Sequence, residues 1–200
     1  MMKKYTLPAK EINPVAKRVL SFDPGSTNMG VTCLEYDEAT QQFKVLADAV
    51  LMHPLHDLKK FTEGRDAFLA EVNSWIYQYD PQAIIAERFQ SRGLRGTTIE
   101  CVCIMLGLLA SLQLPVLFIT AATWKNRYQK RFNIDLREIY KEIQVAPHQL
   151  DSCLIGCYGI EVGLKQTISF NIDDIIAQVS DESLVPLKVR RGKIILDEDE

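Results

Sequence analysis

The sequence predicts an α/β fold: a mixed five-stranded sheet, with a three-strand antiparallel meander joined to two parallel strands and helices on both faces. Three observations carry this. Three strand-like apolar runs follow one another across short polar links near 18–23, 29–36 and 42–51, a spacing that leaves room only for antiparallel hairpins. Helical and strand-like segments then alternate from about residue 57 to 119, the rhythm of parallel strands with crossover helices. Finally, 47% hydrophobic composition over 200 residues is enough to bury one domain-sized core.

The elements follow in order. Residues 1–17 carry Pro8, Pro14 and four lysines and no apolar stretch of signal-peptide type, so they read as a flexible arm. The first strand, in RVLSFDPGSTNMGV, ends at Asp23, where Asp-Pro-Gly marks a turn. After the meander, Phe61, Phe68, Leu69, Val72 and Ile76 space one apolar face of a helix from about Asp57 to Tyr79. Asp80-Pro81 stops it. QAIIAE is a short buried strand ending at Glu87, residues 95–114 form a long helix, and VLFI is the next buried strand. The run from 101 to 119 approaches membrane-spanning length, but Pro115 breaks it into helix then strand, so no membrane insertion is expected. Pro147 suits the first turn of a later helix, which places His148 and Asp151 inside it, three apart on one face. The domain is expected to span 18–163. Residues 164–200 form a C-terminal extension in which LVPLKVRRGKIIL has the alternation of an added hairpin or edge strand, before an acidic tail.

Charge and cysteine usage narrow the function class. The formal charge of −3 includes the terminal DEDE. Between 88 and 131, Arg88, Arg92, Arg95, Lys125, Arg127, Lys130 and Arg131 stand against the single acid Glu100. Such an asymmetry suits a phosphate backbone, and a solvated helix face is the plainer alternative. Five cysteines without CxxC spacing argue against a secreted disulfide framework and for a reducing, cytoplasmic compartment. Cys101 and Cys103, or Cys153 and Cys157, could in principle hold zinc, although buried hydrophobes are the usual role of free cysteines.

Asp23, Glu87, His148 and Asp151 are the candidate catalytic and metal-ligating residues. A carboxylate at the end of a buried strand is unfavourable by several kcal/mol unless compensated; two such strand ends and one helix face bring four candidates within reach of one cluster. Oxygen ligands of this kind suit Mg2+ or Mn2+. Two such ions about 4 Å apart support phosphodiester hydrolysis, with His148 as a ligand or a proton carrier. Each residue also has a plainer role: Asp23 in a turn, Glu87 paired with Arg88 or Arg92, His148 as a cap, and Asp151 favoured by the helix dipole.

SFDPGSTNMGV with Asp23, AIIAERF with Glu87 and HQLDSCLIG with His148 and Asp151 resemble the RuvC-like Holliday junction resolvases of the ribonuclease H-like superfamily. The resemblance covers about residues 18–163. It implies a homodimeric, Mg2+- or Mn2+-dependent endonuclease that cuts four-way or branched DNA junctions in opposed strands. Two departures stand out: His148 replaces the first of two aspartates usual on the last helix, and Gly25-x-x-Asn28 looks like the mitochondrial and poxviral branches. ITAATWKNRY resembles a phage segment whose lysine approaches DNA, which matches Lys125. The resemblance also implies that the helix near 99–112 packs across a dimer two-fold, and burial beneath the sheet is the alternative. Phe89 is expected either to stack in the junction or to join the core. The expected DNA contacts are Asn28, Arg88, Phe89, Arg92, Arg95, Lys125, Arg127, Lys130 and Arg131. Two other classes remain open: a non-catalytic junction-binding protein, and a phosphate-binding ATPase or sugar-kinase-like fold, which shares a DxGxTN pattern but needs a second domain.

Overall fold

A computed structural model of the protein describes residues 16–53, 55, 57–88, 96–143 and 147–179, with two short strands at 189–190 and 193–194. Strand β1 (Lys17–Pro24), β2 (Asn28–Tyr36) and β3 (Phe43–Met52) form the antiparallel meander, and β4 (Ala83–Arg88) and β5 (Val116–Thr120) extend it in parallel. The order across the sheet is β3-β2-β1-β4-β5. This is the mixed five-stranded sheet expected from the sequence.

Helices cover both faces because the strand residues alternate between two cores. On one face Val19, Leu34, Val45 and Ile85 pack against α3 (Ala121–Phe132), α4 (Leu136–Glu142), α5 (Pro147–Tyr158) and α6 (Ile172–Val179). On the other, Leu20, Phe22, Val31, Ile84 and Ala86 pack against α1 (Phe61–Tyr79) and α2 (Thr97–Ala110). A bulge at Cys33/Leu34 shifts the β2–β3 register, so Leu46 and Ala47 both enter the α1–α2 core while Val45 stays in the other.

Several boundaries differ from those expected. The helix near Asp57 begins as a 3₁₀ turn at Leu58–Lys60, capped by Asp57, before α1 starts at Phe61. Its buried stripe is Gly64, Phe68, Val72, Trp75 and Tyr79, with Phe61, Leu69 and Ile76 half-buried at the flanks. The aromatic pair at 75 and 79 rotates the stripe, because large rings take the centre of the contact. Asp80 ends the helix in the left-handed conformation, its N–H donating to the Ile76 carbonyl. Within the described residues α2 stops at Ala110 rather than at about 114, the chain turning before Pro115.

The core continues beyond residue 163. Ile168, Phe170, Ile172, Ile175 and Val179 belong to the same cluster as α5. This segment also covers the β3 edge: Val45 N–H donates to Gln178 Oε1 (2.7 Å) and Ser169 N–H to the Gln41 carbonyl (2.8 Å). The short pair β6 (Val189–Arg190) and β7 (Lys193–Ile194) forms its own antiparallel hairpin rather than an edge of the main sheet. The expected arm at 1–17 lies outside the described residues up to residue 15. No described helix is long and apolar enough to cross a membrane.

Helix α5 is the element seated closest to the sheet. A Cβ on Gly30 of β2 would stand 1.9 Å from the His148 carbonyl oxygen, and one on Gly156 of α5 would stand 2.4 Å from Leu34 Cδ1 and 2.6 Å from Ser21 Oγ. Glycine is required where backbones approach this closely. Gly30→Ala must push the first turn of α5 away, so it is expected to lower stability by about 1–3 kcal/mol, read by urea denaturation. A midpoint equal to wild type would show that α5 does not hold this seat in solution.

Candidate active site

The site forms at the end of the sheet where β1, β4 and β5 finish and α3 and α5 begin. Alternation sends Val19, Ser21 and Asp23 of β1 toward α5, and likewise Ala83, Ile85 and Glu87 of β4. Phe22 pairs with Ala86 in the parallel register, so Asp23 and Glu87 are the next residues on neighbouring strands. Of the two, Asp23 is buried, 7% exposed, and Glu87 is half-buried.

Helix α5 supplies the other two. His148 Nδ1–H donates to Asp23 Oδ2 across 2.5 Å, which holds the imidazole tautomer with Nε2 directed elsewhere. This hydrogen bond, with the Asp23 charge, raises the pKa of His148 above its usual value despite partial burial. Asp151, one turn on, accepts from Lys125 Nζ (3.0 Å) and from the Tyr140 hydroxyl. Burial, followed by repulsion from Asp23, raises the Asp151 pKa. Glu87 accepts from Trp124 Nε1 (2.7 Å). Burial and the charges of Asp23 and Asp151 push it up to about 7, against the lowering effect of Trp124 and Lys125. The Lys125 ammonium also lies 4.8 Å from the Trp124 ring centre.

His148 and Asp23 therefore touch, Asp23, Glu87 and Asp151 lie near enough to act on one another's ionisation, and two aromatic partners that the sequence reading missed, Trp124 and Tyr140, hold Glu87 and Asp151. Trp124 and Tyr128 sit four apart on an otherwise polar helix and are fully buried; that pairing was the available signal. Tyr140 had none beyond its place on a short helix.

The turn between β1 and β2 is tied down as well. His53 Nε2–H donates to the Gly25 carbonyl (3.2 Å) and His53 N–H to the Thr27 carbonyl (3.1 Å). A Cβ on Gly25 would stand 2.4 Å from the Asn28 carbonyl oxygen and 3.5 Å from His148 Cε1. Asn28 itself begins β2 beside this turn, opposite Met52.

The basic candidates divide. Arg88, at the end of β4, and Lys130 are exposed. Lys125 is at the carboxylates. Arg127 and Arg131 both pair with Glu161, and Arg131 also lies over the Phe132 and Phe170 rings, so these two guanidinium groups are engaged in holding α3 to the π-helical turn Gly159–Gly163 that follows α5. Phe89, Arg92 and Arg95 lie outside the described residues. The cysteines do not assemble a zinc site: Cys101, Cys153 and Cys157 are buried and Cys103 is exposed, and no metal-binding group of His, Cys, Asp and Glu forms among the described residues.

That same statement applies to the carboxylate cluster as its side chains stand, because Asp23 is turned to His148 and Asp151 to Lys125 and Tyr140. In kind, the donors fit a divalent cation. Three carboxylates and an imidazole suit Mg2+ or Mn2+. Burial first, and then repulsion from Asp23 and Asp151, holds the Glu87 proton to about pH 7, and a cation would offset both.

No protein-family model matches the sequence, and no curated protein matches it. Solved structures do. RuvC of Thermus thermophilus in complex with a Holliday junction substrate is 20% identical over 73% of this chain and 96% of that one, with a TM-score of 0.56. A second Thermus thermophilus RuvC structure is 17% identical over 76% and 99%, with a TM-score of 0.58. The yeast mitochondrial Holliday junction resolvase Ydc2 is 15% identical over 84% and 76%, with a TM-score of 0.40. The sheet order, its mixture of parallel and antiparallel pairs and the likeness to RuvC give this chain the ribonuclease H-like fold.

Proposed function

We propose that this chain is a divalent-metal-dependent endonuclease that cuts four-way or branched DNA junctions, nicking opposed strands as a homodimer. The observation that carries the reading is the convergence of Asp23, Glu87 and Asp151, from β1, β4 and α5, at one end of a sheet with the RuvC fold. Asp23, Glu87, Asp151 and His148 are the residues that would hold Mg2+ or Mn2+. Bound there, such an ion would lower the pKa of a water and stabilise charge on a scissile phosphate.

The chain's own groups supply the rest. His148, fixed through Nδ1 by Asp23, has Nε2 left either to hold that ion or, where it does not, to take or return a proton. Lys125 holds Asp151 and carries a positive charge to the place where a phosphate would sit. Trp124 fixes the Glu87 carboxylate by one oxygen and leaves the other outside that contact. Arg88 and Lys130 are exposed and available to the DNA backbone.

Dimerisation through α2 has its support in how that helix is buried. Cys101, Val102, Met105 and Leu109 face the core, whereas Cys103, Gly107 and Ala110 are exposed and Leu106 and Leu108 only half-buried. A helix this apolar with an uncovered side suits a two-fold partner. A second reading, junction binding without cleavage, draws on the engagement of Asp23 by His148 and of Asp151 by Lys125.

One measurement separates these readings. On an end-labelled four-way junction with Mg2+ or Mn2+, wild type is expected to make symmetric nicks, and Asp23→Asn to lose about 10²-fold or more in rate while still binding. Binding without nicking by wild type in either metal would sustain the second reading instead.

The pKa of Glu87 has a sign that can be checked. Between its ordinary 4.5 and about 7, the folded protein keeps a proton that the unfolded chain has lost. Stability therefore falls as pH rises through that window. Glu87→Gln is thus expected to melt several degrees above wild type at about pH 8 while losing cleavage. A lower melting temperature would contradict the electrostatic account.

Space around Gly107 is open, so Gly107→Arg should fold as a monomer. Sedimentation is expected to show wild type as a dimer and this variant at half the mass. An unchanged dimer would move the interface elsewhere.

A further inference from the structure

Behind the carboxylates, a second polar row crosses the sheet. Ser21 pairs with Thr32 in the β1–β2 register, and Thr32 with Asp48 in the β2–β3 register. All three are buried, at 0%, 0% and 2% exposure. Helix α5 meets the row with Gln149 and Ser152, which lie three apart on one face. Gln149 Nε2 donates to Asp48 Oδ2 (2.6 Å), and Thr32 Oγ1 and Ser152 Oγ stand 2.6 Å apart. Because Ser152 Oγ–H donates to the Gln149 carbonyl (2.9 Å), Thr32 is the donor in that pair. Ser21 Oγ–H closes the row on the Thr32 carbonyl (3.2 Å).

Each docking residue directly follows a site residue: His148 then Gln149, Asp151 then Ser152. The apolar contacts of α5, through Leu150, Cys153, Leu154 and Cys157, are non-directional and tolerate a slide along the strands. Hydrogen bonds are not tolerant in this way, since they fail outside a narrow range of length and angle. A slide of one residue rise, about 1.5 Å, would break both docking contacts and part His148 from Asp23. Stability alone gives little reason for the row. Each such bond adds little net stability, and well-fitted apolar groups in the same space do about as well.

We propose that Thr32 and Asp48, through Ser152 and Gln149, are positioning residues that set the seat of α5 and so hold His148 on Asp23 and Asp151 beside Lys125. This rests on the nuclease reading for its consequence in catalysis, but its geometry is measurable without DNA or metal.

The test uses the full chain and 15N spectra of the His148 imidazole, whose Nδ1 resonance reports the bond to Asp23. Thr32→Val together with Ser152→Ala removes one docking contact with little change of volume, and Gln149→Met removes the other. Each variant is expected to melt within about 5 °C of wild type. In each, the Nδ1 resonance should move toward its position in Asp23→Asn. Junction cleavage should lose about 10²-fold in kcat with little change in KM. Asp48→Asn keeps an acceptor for Gln149 and is expected to hold the resonance at its wild-type position. The proposal is overturned if the first two variants fold with the resonance unmoved, or if both fail to fold, which would make the row a general structural requirement. Absence of nicking by wild type would remove the nuclease reading and leave the resonance to decide this one.

Discussion

Everything at the site depends on how closely α5 approaches the middle of the sheet. The helix backbone at His148 lies against the β2 backbone at Gly30, and Gly156 sits over Ser21 and Leu34. Contact at this range leaves no room for a side chain between helix and strands. It brings Asp151 within reach of Lys125, and His148 within hydrogen-bonding distance of Asp23. With a bulkier residue in either place the same helix would pack farther out, and the acids of β1 and β4 would lose their partners.

The close packing also explains the electrostatics. Asp23 and Asp151 are buried and Glu87 is half-buried by the strands and helix that carry them, so their charges act on one another with little water between. Trp124, Tyr140, Lys125 and His148 offset part of that repulsion. The protein accepts a less favourable fold at neutral pH in return for an acidic centre, the pattern expected where function rather than stability selects the residues.

Much of the fold was legible from the chain because its strands are apolar and separated by clear turn residues. Pro115 and Asp80-Pro81 punctuate helix and strand as local chemistry requires. Asp23 and Glu87 were visible as acids ending apolar runs, and His148 and Asp151 through the proline that opens their helix. The partners were less legible. Trp124 and Tyr140 act across 37 and 11 residues of sequence, distances that no local pattern encodes. Asp48 carried a signal of its own: a carboxylate inside KVLADAVLM breaks an apolar strand just as Asp23 does, and it calls for a buried donor, although its partner Gln149 lies 101 residues on and only the fold reveals it. Arg127 and Arg131 were legible as charges but not for their pairing, because a basic cluster counted along the chain does not show Glu161, which meets it from the turn after α5.

The cover over β3 has a consequence for how the molecule keeps company with others. An outer strand with free N–H and C=O groups is a template for another chain, and proteins that leave one bare tend to stack edge to edge. Here Gln178 occupies one of those groups, Ser169 ties down the link that leads into the strand at Gln41, and α6 lies beside them. A protein cut short after residue 163 would keep Asp23, Glu87, His148 and Asp151 and yet lose this guard. The segment that carries none of the candidate chemistry thus covers part of an edge that would otherwise be open to pairing.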